Sequence, residues 1–135
     1  MLLGAALLLA AGSIGYNIYE GSRGAAPSAE TADGAPSIDQ LRAAAEASTD
    51  DAGPWADLAF AHFNAGQFDE AAAAYRRALE IAPEEAVLWS ALGETLVLSS
   101  KRDPLPADAL AAFEKAIALD PQDPRARYFL AAKMD

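Results

Sequence analysis

Two tryptophans, Trp55 and Trp89, stand 34 residues apart, and each heads a ladder of small and aromatic residues that repeats. Around the first lie Leu58, Ala59, Gly66, Phe68, Ala71, Tyr75, Ala78 and Pro83; around the second lie Leu92, Gly93, Ala109, Phe113, Ala116 and Pro121. The intervals Ala71–Tyr75–Ala78–Pro83 and Ala109–Phe113–Ala116–Pro121 are the same. The second unit is longer by four residues, which fall within 99–106, between its two helices. In each unit the tryptophan and the leucine three residues on share one helical face. The small Ala59 and Gly93 let a second helix approach, Ala71 and Ala109 mark the crossing, and Tyr75 and Phe113 fill the space beside it. A unit of this kind cannot cover its own apolar face and must stack on a neighbour.

A 34-residue helix–turn–helix period with these residues is the tetratricopeptide (TPR) pattern. The spacing predicts an all-α TPR solenoid of about two full repeats plus flanking half-repeats. Residues 37–47, with Ile38, Leu41, Ala44 and Ala45, take the place of a preceding second helix; residues 124–135 read as the first helix of a third unit. Pro83 and Pro124 suit the first turn of a helix, where no N–H is needed. Asp123 is a plausible N-cap for the last helix, and Pro121 closes the helix before it. About a quarter of the chain is alanine, the best helix former, in keeping with closely packed helices.

Ahead of the repeats, residues 1–18 are apolar and uncharged, with Tyr16 and Tyr19 at their end. That length just crosses a hydrocarbon core of roughly 30 Å, and tyrosines suit its boundary with water. The expectation is an N-terminal transmembrane helix over 1–19. A cleavable signal peptide is the competing reading, because Ala10-Ala11-Gly12 is a passable cleavage site; no Lys or Arg opens the segment. Arg23, read strictly, keeps the following side in the cytoplasm, but Glu20 offsets it. Residues 20–36, rich in Gly, Ala, Ser and Pro, read as a flexible linker, which leaves 37–135 as the TPR domain.

The charge balance is 10 Lys+Arg against 20 Asp+Glu, net −10. Such a chain has no basic field to replace counterions on nucleic acid. With no cysteine and a single histidine, disulfide, thiolate-metal and thiol-nucleophile chemistry are excluded for this chain. His62 takes a first-helix position where an aromatic is usual, so it packs between helices or lies at the surface. Asp50-Asp51, Asp69-Glu70 and Glu84-Glu85 sit near helix starts, where acids suit the dipole; Arg76-Arg77 read as surface partners of Glu80. No catalytic constellation, metal signature or cofactor motif is legible, and the chain reads as no enzyme.

A stack of TPR units offers a concave groove lined by successive first helices. Its candidate peptide-binding residues are Ala56, Phe60, Phe63 and Asn64 in the first unit, Ser90, Glu94, Val97 and Leu98 in the second, and Arg125 and Tyr128 in the third. Phe60 and Phe63 are informative because a wet groove position does not need phenylalanine for folding, although packing on each other or on the linker also accounts for them. TPR domains that grip a partner's C-terminal carboxylate carry Lys and Asn where Ala56 and Phe60 stand, so that clamp is absent. An apolar groove bordered by Glu94 suits an amphipathic, basic helical peptide.

The stretch Leu92-Gly93-Glu94-Thr95-Leu96-Val97, the lengthened turn, and Phe113-Glu114-Lys115-Ala116 resemble one branch of TPR proteins. So does the run Leu119-Asp120-Pro121-Gln122-Asp123-Pro124-Arg125-Ala126-Arg127-Tyr128-Phe129-Leu130. The branch is the TPR subunit of bacterial cytochrome c maturation, the CcmI/CycH family, which also places a membrane span and a Pro/Ala-rich tether before its repeats. The resemblance implies a single-pass protein of the inner (cytoplasmic) membrane with its TPR domain in the periplasm. There it would bind apocytochrome c by its C-terminal helix and present it to the subunits of the haem-ligation complex. Members typically have two spans and further TPR units, which this chain does not show. A general cell-envelope TPR scaffold for other proteins is the alternative; an accessory domain of a larger enzyme is a third.

Overall fold

The computed structural model describes residues 34–101 and 104–134, and among them it holds six α-helices and no β-strand. These are α1 (Ile38–Glu46), α2 (Gly53–Asn64), α3 (Phe68–Ile81), α4 (Ala86–Ser99), α5 (Ala107–Leu119) and α6 (Pro124–Met134). The expected membrane helix over 1–19, and the linker as far as residue 33, lie outside the described residues. Among the described residues no helix is long and apolar enough to cross a membrane.

Helix α1 begins at a reciprocal pair of bonds. The Ser37 Oγ accepts from the Gln40 N–H (3.1 Å), and the Gln40 Oε1 accepts from the Ser37 N–H (2.8 Å), which is a capping box. Helix α2 ends in a Schellman turn: the Gln67 N–H reaches the His62 carbonyl (2.9 Å) and the Gly66 N–H reaches that of Phe63 (3.0 Å). Gly66 carries φ +77° there, a left-handed conformation that costs any residue with a Cβ. His62 Nδ1 meets Gln67 Oε1 at 2.7 Å across the same turn, so the single histidine is a buried packing residue at a helix end.

Within the repeats α2 packs on α3, α3 on α4, α4 on α5, and α5 on α6, with a further contact between α4 and α6. This is the alternation of a helical solenoid, each helix covering the apolar face of the one before. The crossings run along alanine. Ala59, Ala71 and Ala78 are wholly buried between α2 and α3, as are Ala109 and Ala116 on α5. Where the second repeat has Gly93, a Cβ would stand 2.6 Å from Cε1 of Phe113; that ring is itself fully buried. On its far side Phe113 stacks on Phe129 of α6, centroids 4.7 Å apart and planes 10° from parallel. The third unit's first helix thus closes on the second unit's core.

The two repeats also agree in their outer layer. Trp55 donates to the Ser48 carbonyl (3.4 Å) and Trp89 to the Pro83 carbonyl (2.8 Å). The Arg77 guanidinium lies 4.5 Å over the Trp55 ring, and Lys115 lies 6.0 Å over that of Trp89, a cation–π pair in each unit. Arg77 also pairs with Glu80 at 3.3 Å, as expected, and Arg76 with Asp108 at 3.7 Å. One local expectation fails: Pro83 is in the turn ahead of α4, not in its first helical turn. It matches Pro121, which lies in the turn ahead of α6, whereas Pro124 does open its helix. The extra length of the second unit falls between α4 and α5, as the ladder requires.

Gly93→Ala is expected to lower stability by about 1–3 kcal/mol, because the added methyl overpacks a ring held on both faces. Urea denaturation checks it, as a lower midpoint at unchanged slope.

Candidate functional site

The first helices of the three units are α2, α4 and α6, and the ten groove positions divide among them unequally. Phe60 on α2 is 59% exposed and Tyr128 on α6 is 70% exposed; Leu98 on α4 and Asn64 on α2 are also exposed. These side chains are free to meet a partner. Ala56 is half-buried. Phe63 is half-buried too, because its ring stands edge-on to Phe68 across the α2–α3 turn, 5.3 Å between centroids at 77°. The linker as far as residue 33, the other expected neighbour of Phe63, lies outside the described residues. Val97 is half-buried against the cluster around Phe113.

Ser90 departs from expectation most. It is 0% exposed, and it ties α4 to the start of α6. Its hydroxyl lies 3.2 Å from the Val87 carbonyl and 3.0 Å from Asp123 Oδ2, and it accepts from Arg125 Nη1 at 3.1 Å. Asp123 is buried as well. Its other oxygen accepts the Ala126 N–H (2.8 Å), so the expected N-cap forms and the same carboxylate reaches back 33 residues to Ser90. Arg125 Nε then holds Glu94 Oε1 at 2.7 Å, both side chains about two-thirds buried. A run of four residues, Asp123, Ser90, Arg125 and Glu94, therefore joins the second and third units. Glu94, expected to border the groove, has its charge matched by Arg125.

Three further side chains lie outside the ten expected positions. Val87, 58% exposed, lies three residues before Ser90 and seven before Glu94, on the same face of α4; helical spacing would have found it. Asp57 stands three residues before Phe60 on α2; partial burial of its carboxyl, and then the charge of Asp51, hold it above the usual carboxylate range. Tyr75, at 7% exposure, lies in the fields of Arg125 and Glu94. Burial raises its phenol above the ordinary range, Arg125 draws it down and Glu94 pushes it up.

Among the described residues no group of three or more His, Cys, Asp or Glu side chains is placed to hold a metal ion. Phe60 on α2, Val87 and Leu98 on α4 and Tyr128 on α6 are the large apolar side chains left exposed on the first helices. Such a surface binds another chain by burying apolar area.

Residues 52–85 match the tetratricopeptide repeat family model. The chain is similar to the cytochrome c-type biogenesis protein CycH of Rhizobium meliloti, 36% identical over 81 residues, which are 60% of this chain and 21% of that protein. It is similar in like degree to a peroxisomal targeting signal receptor of Kluyveromyces lactis, 37% identical over 65 residues (48% of this chain, 11% of that one). It also resembles the superkiller protein 3 of Schizosaccharomyces pombe, 36% identical over 74 residues (55% of this chain, 5% of that one). The matched part thus spans about a fifth or less of each relative's length.

Asp123→Ala removes both a helix cap and the acceptor for buried Ser90, and is expected to cost about 2 kcal/mol. Asp120→Ala is its control in urea denaturation: among the described residues the Asp120 side chain accepts an exposed Gln122 N–H, and its loss is expected to cost about 0.5 kcal/mol or less. The helical pairs and the alanine-lined crossings continue, on either side of it, the helix–turn–helix repeat matched over residues 52–85.

Proposed function

We propose that the groove binds an amphipathic helix of apocytochrome c and presents the unfolded cytochrome to the subunits of the haem-ligation complex. On this reading the chain is a binding protein without catalysis, held in the inner membrane by residues 1–19, with its repeats in the periplasm. The observation that carries it is the exposure of Phe60, Val87, Leu98 and Tyr128 on the successive first helices. Exposed apolar side chains on one lining favour a ligand with an apolar stripe of its own, spaced as on a helix. The likeness to CycH, over more of this chain than the other two relatives named above, supports cytochrome c as the partner. Glu94, already paired with Arg125, asks for no lysine opposite it, so the helix is selected by its apolar face first. Net charge −10 still favours the approach of a basic partner.

A general scaffold that gathers other envelope proteins through the same groove is the second reading, favoured by the comparable likeness to a peroxisomal receptor and to superkiller protein 3.

Calorimetric titration of the full chain in detergent separates the two, using haemless cytochrome c with and without its C-terminal helix. The expected outcome is micromolar binding that disappears with the truncation. Phe60→Ala and Tyr128→Ala are each expected to weaken it about tenfold, from the apolar area lost. Equal binding of the two cytochrome forms, or of neither, would remove cytochrome c as the specific partner.

A further inference from the structure

The junctions between successive first helices use equivalent positions with opposite chemistry. The shift that carries Trp55 onto Trp89 also carries Ala56 and Phe60 of α2 onto Ser90 and Glu94 of α4. The shift that carries Pro83 onto Pro121 carries Glu85 and Val87, at the start of α4, onto Asp123 and Arg125, at the start of α6. At the second junction these positions form a continuous polar chain. Asp123 Oδ2 lies 3.0 Å from the Ser90 hydroxyl, Arg125 Nη1 donates to that hydroxyl at 3.1 Å, and Arg125 Nε holds Glu94 Oε1 at 2.7 Å. At the first junction the same places are held by Glu85, Ala56, Val87 and Phe60. No such chain can form there, because Ala56 has no hydroxyl and neither Val87 nor Phe60 carries a charge.

The first junction is open as a result. Phe60 and Val87 are 59% and 58% exposed, whereas their counterparts Glu94 and Arg125 have side chains about two-thirds buried against each other. Helix α4 touches α6, and α2 approaches α4 less closely. Two carboxylates flank the open pair. Asp57 lies one turn before Phe60 on the exposed face of α2. Glu85 stands at the N-cap of α4, two residues before Val87, and makes no side-chain cap bond. Neither carboxylate forms an ion pair with a described residue. Partial burial, and then the charge of Asp51, already hold the Asp57 carboxyl above the usual range, as befits an anion that lacks a counter-charge.

Folding does not call for an open apolar pair at this place, since the second junction shows how the chain closes it from within. A phenylalanine and a valine left in water are released from it when another apolar surface covers them. Their complement is an apolar side chain, with a cation close by to meet Asp57 or Glu85. On a helix those two groups lie three or four residues apart. We propose that the first junction is the anchor site of the groove, taking a large aliphatic or aromatic side chain of a helical partner together with a lysine or arginine one turn from it. The second junction, closed by its own ion pair, takes no such anchor. This deepens the groove reading given above and rests on it. Leu98 and Tyr128 add contact area, and the anchor sets the register of the bound helix.

The test is a set of 18-residue amphipathic helical peptides with a leucine face, titrated calorimetrically into the full chain in detergent. One Lys is walked through the positions beside the leucine face, with Gln as its neutral replacement. The expected result is one position at which Lys binds about tenfold more tightly than Gln. That preference should vanish in the double variant Asp57→Asn, Glu85→Gln, while the affinity for the Gln peptide is kept. Both residues are exposed and without ion pairs among the described residues, so the fold is kept as well. Val87→Ala should weaken every peptide about tenfold and Leu98→Ala about twofold or less, although both side chains are exposed on α4. If the peptides bind with no Lys preference, or if the preference survives in the double variant, the anchor site is overturned and the groove reading stands. Equal losses from Val87→Ala and Leu98→Ala overturn it too, because the groove then binds by diffuse apolar area. If no peptide binds at all, the groove reading itself falls and takes the anchor site with it.

Discussion

The close approach of α4 and α5 at Gly93 is the constraint on which the second repeat depends. A ring sits where any side chain at position 93 would have to be, and the same ring forms the surface on which Phe129 stacks. Glycine in mid-helix is costly by propensity, and the helix accepts that cost because the missing methyl lets Phe113 be wholly enclosed. The consequence runs outward. With Phe113 in place, Ala109 and Ala116 close against their neighbours, and α6 gains a flat aromatic face on which to dock. The first repeat uses Ala59 instead of glycine and Tyr75 instead of phenylalanine. Its crossing is built on the same plan with slightly different volumes.

A second, polar connection joins the units. Asp123, Ser90, Arg125 and Glu94 hold the start of α6 against α4 through bonds of 2.7 to 3.1 Å. Burying a carboxylate and a hydroxyl demands that each be satisfied, and here each satisfies the other. Such bonds are directional where apolar contact is not, so they fix the angle at which one unit follows the next. The surface of the groove depends on that angle, because the stripe of Phe60, Val87, Leu98 and Tyr128 is assembled from three separate helices. Binding capacity in this protein is thus a property of how the units are joined.

Most of the helical architecture is legible in the sequence. The ladder around Trp55 and Trp89, the four extra residues between α4 and α5, and the cap at Asp123 all follow from spacing and residue type, which act over one or two helical turns. Pro83 misleads, because proline suits both the first turn of a helix and the turn before it; Pro124 takes the former place and Pro83 the latter. The groove is less legible. Periodicity places Phe60, Leu98 and Tyr128 on the right faces, but it cannot tell a side chain at an open face from one at a junction. Ser90, Phe63 and Val97 share the groove's periodicity, yet they are drawn inward by Asp123, by Phe68 and by the Phe113 cluster.

The sequence by itself determines the repeat, its helix lengths and the small residues at each crossing, because local backbone preference and the volume of a single side chain decide these. Only the tertiary structure decides which polar groups meet. Asp123 finds Ser90 across 33 residues, and Arg125 finds Glu94 across 31. These pairings depend on the angle between successive units. That angle is the sum of many small contacts, and no stretch of sequence short enough to read by periodicity contains it.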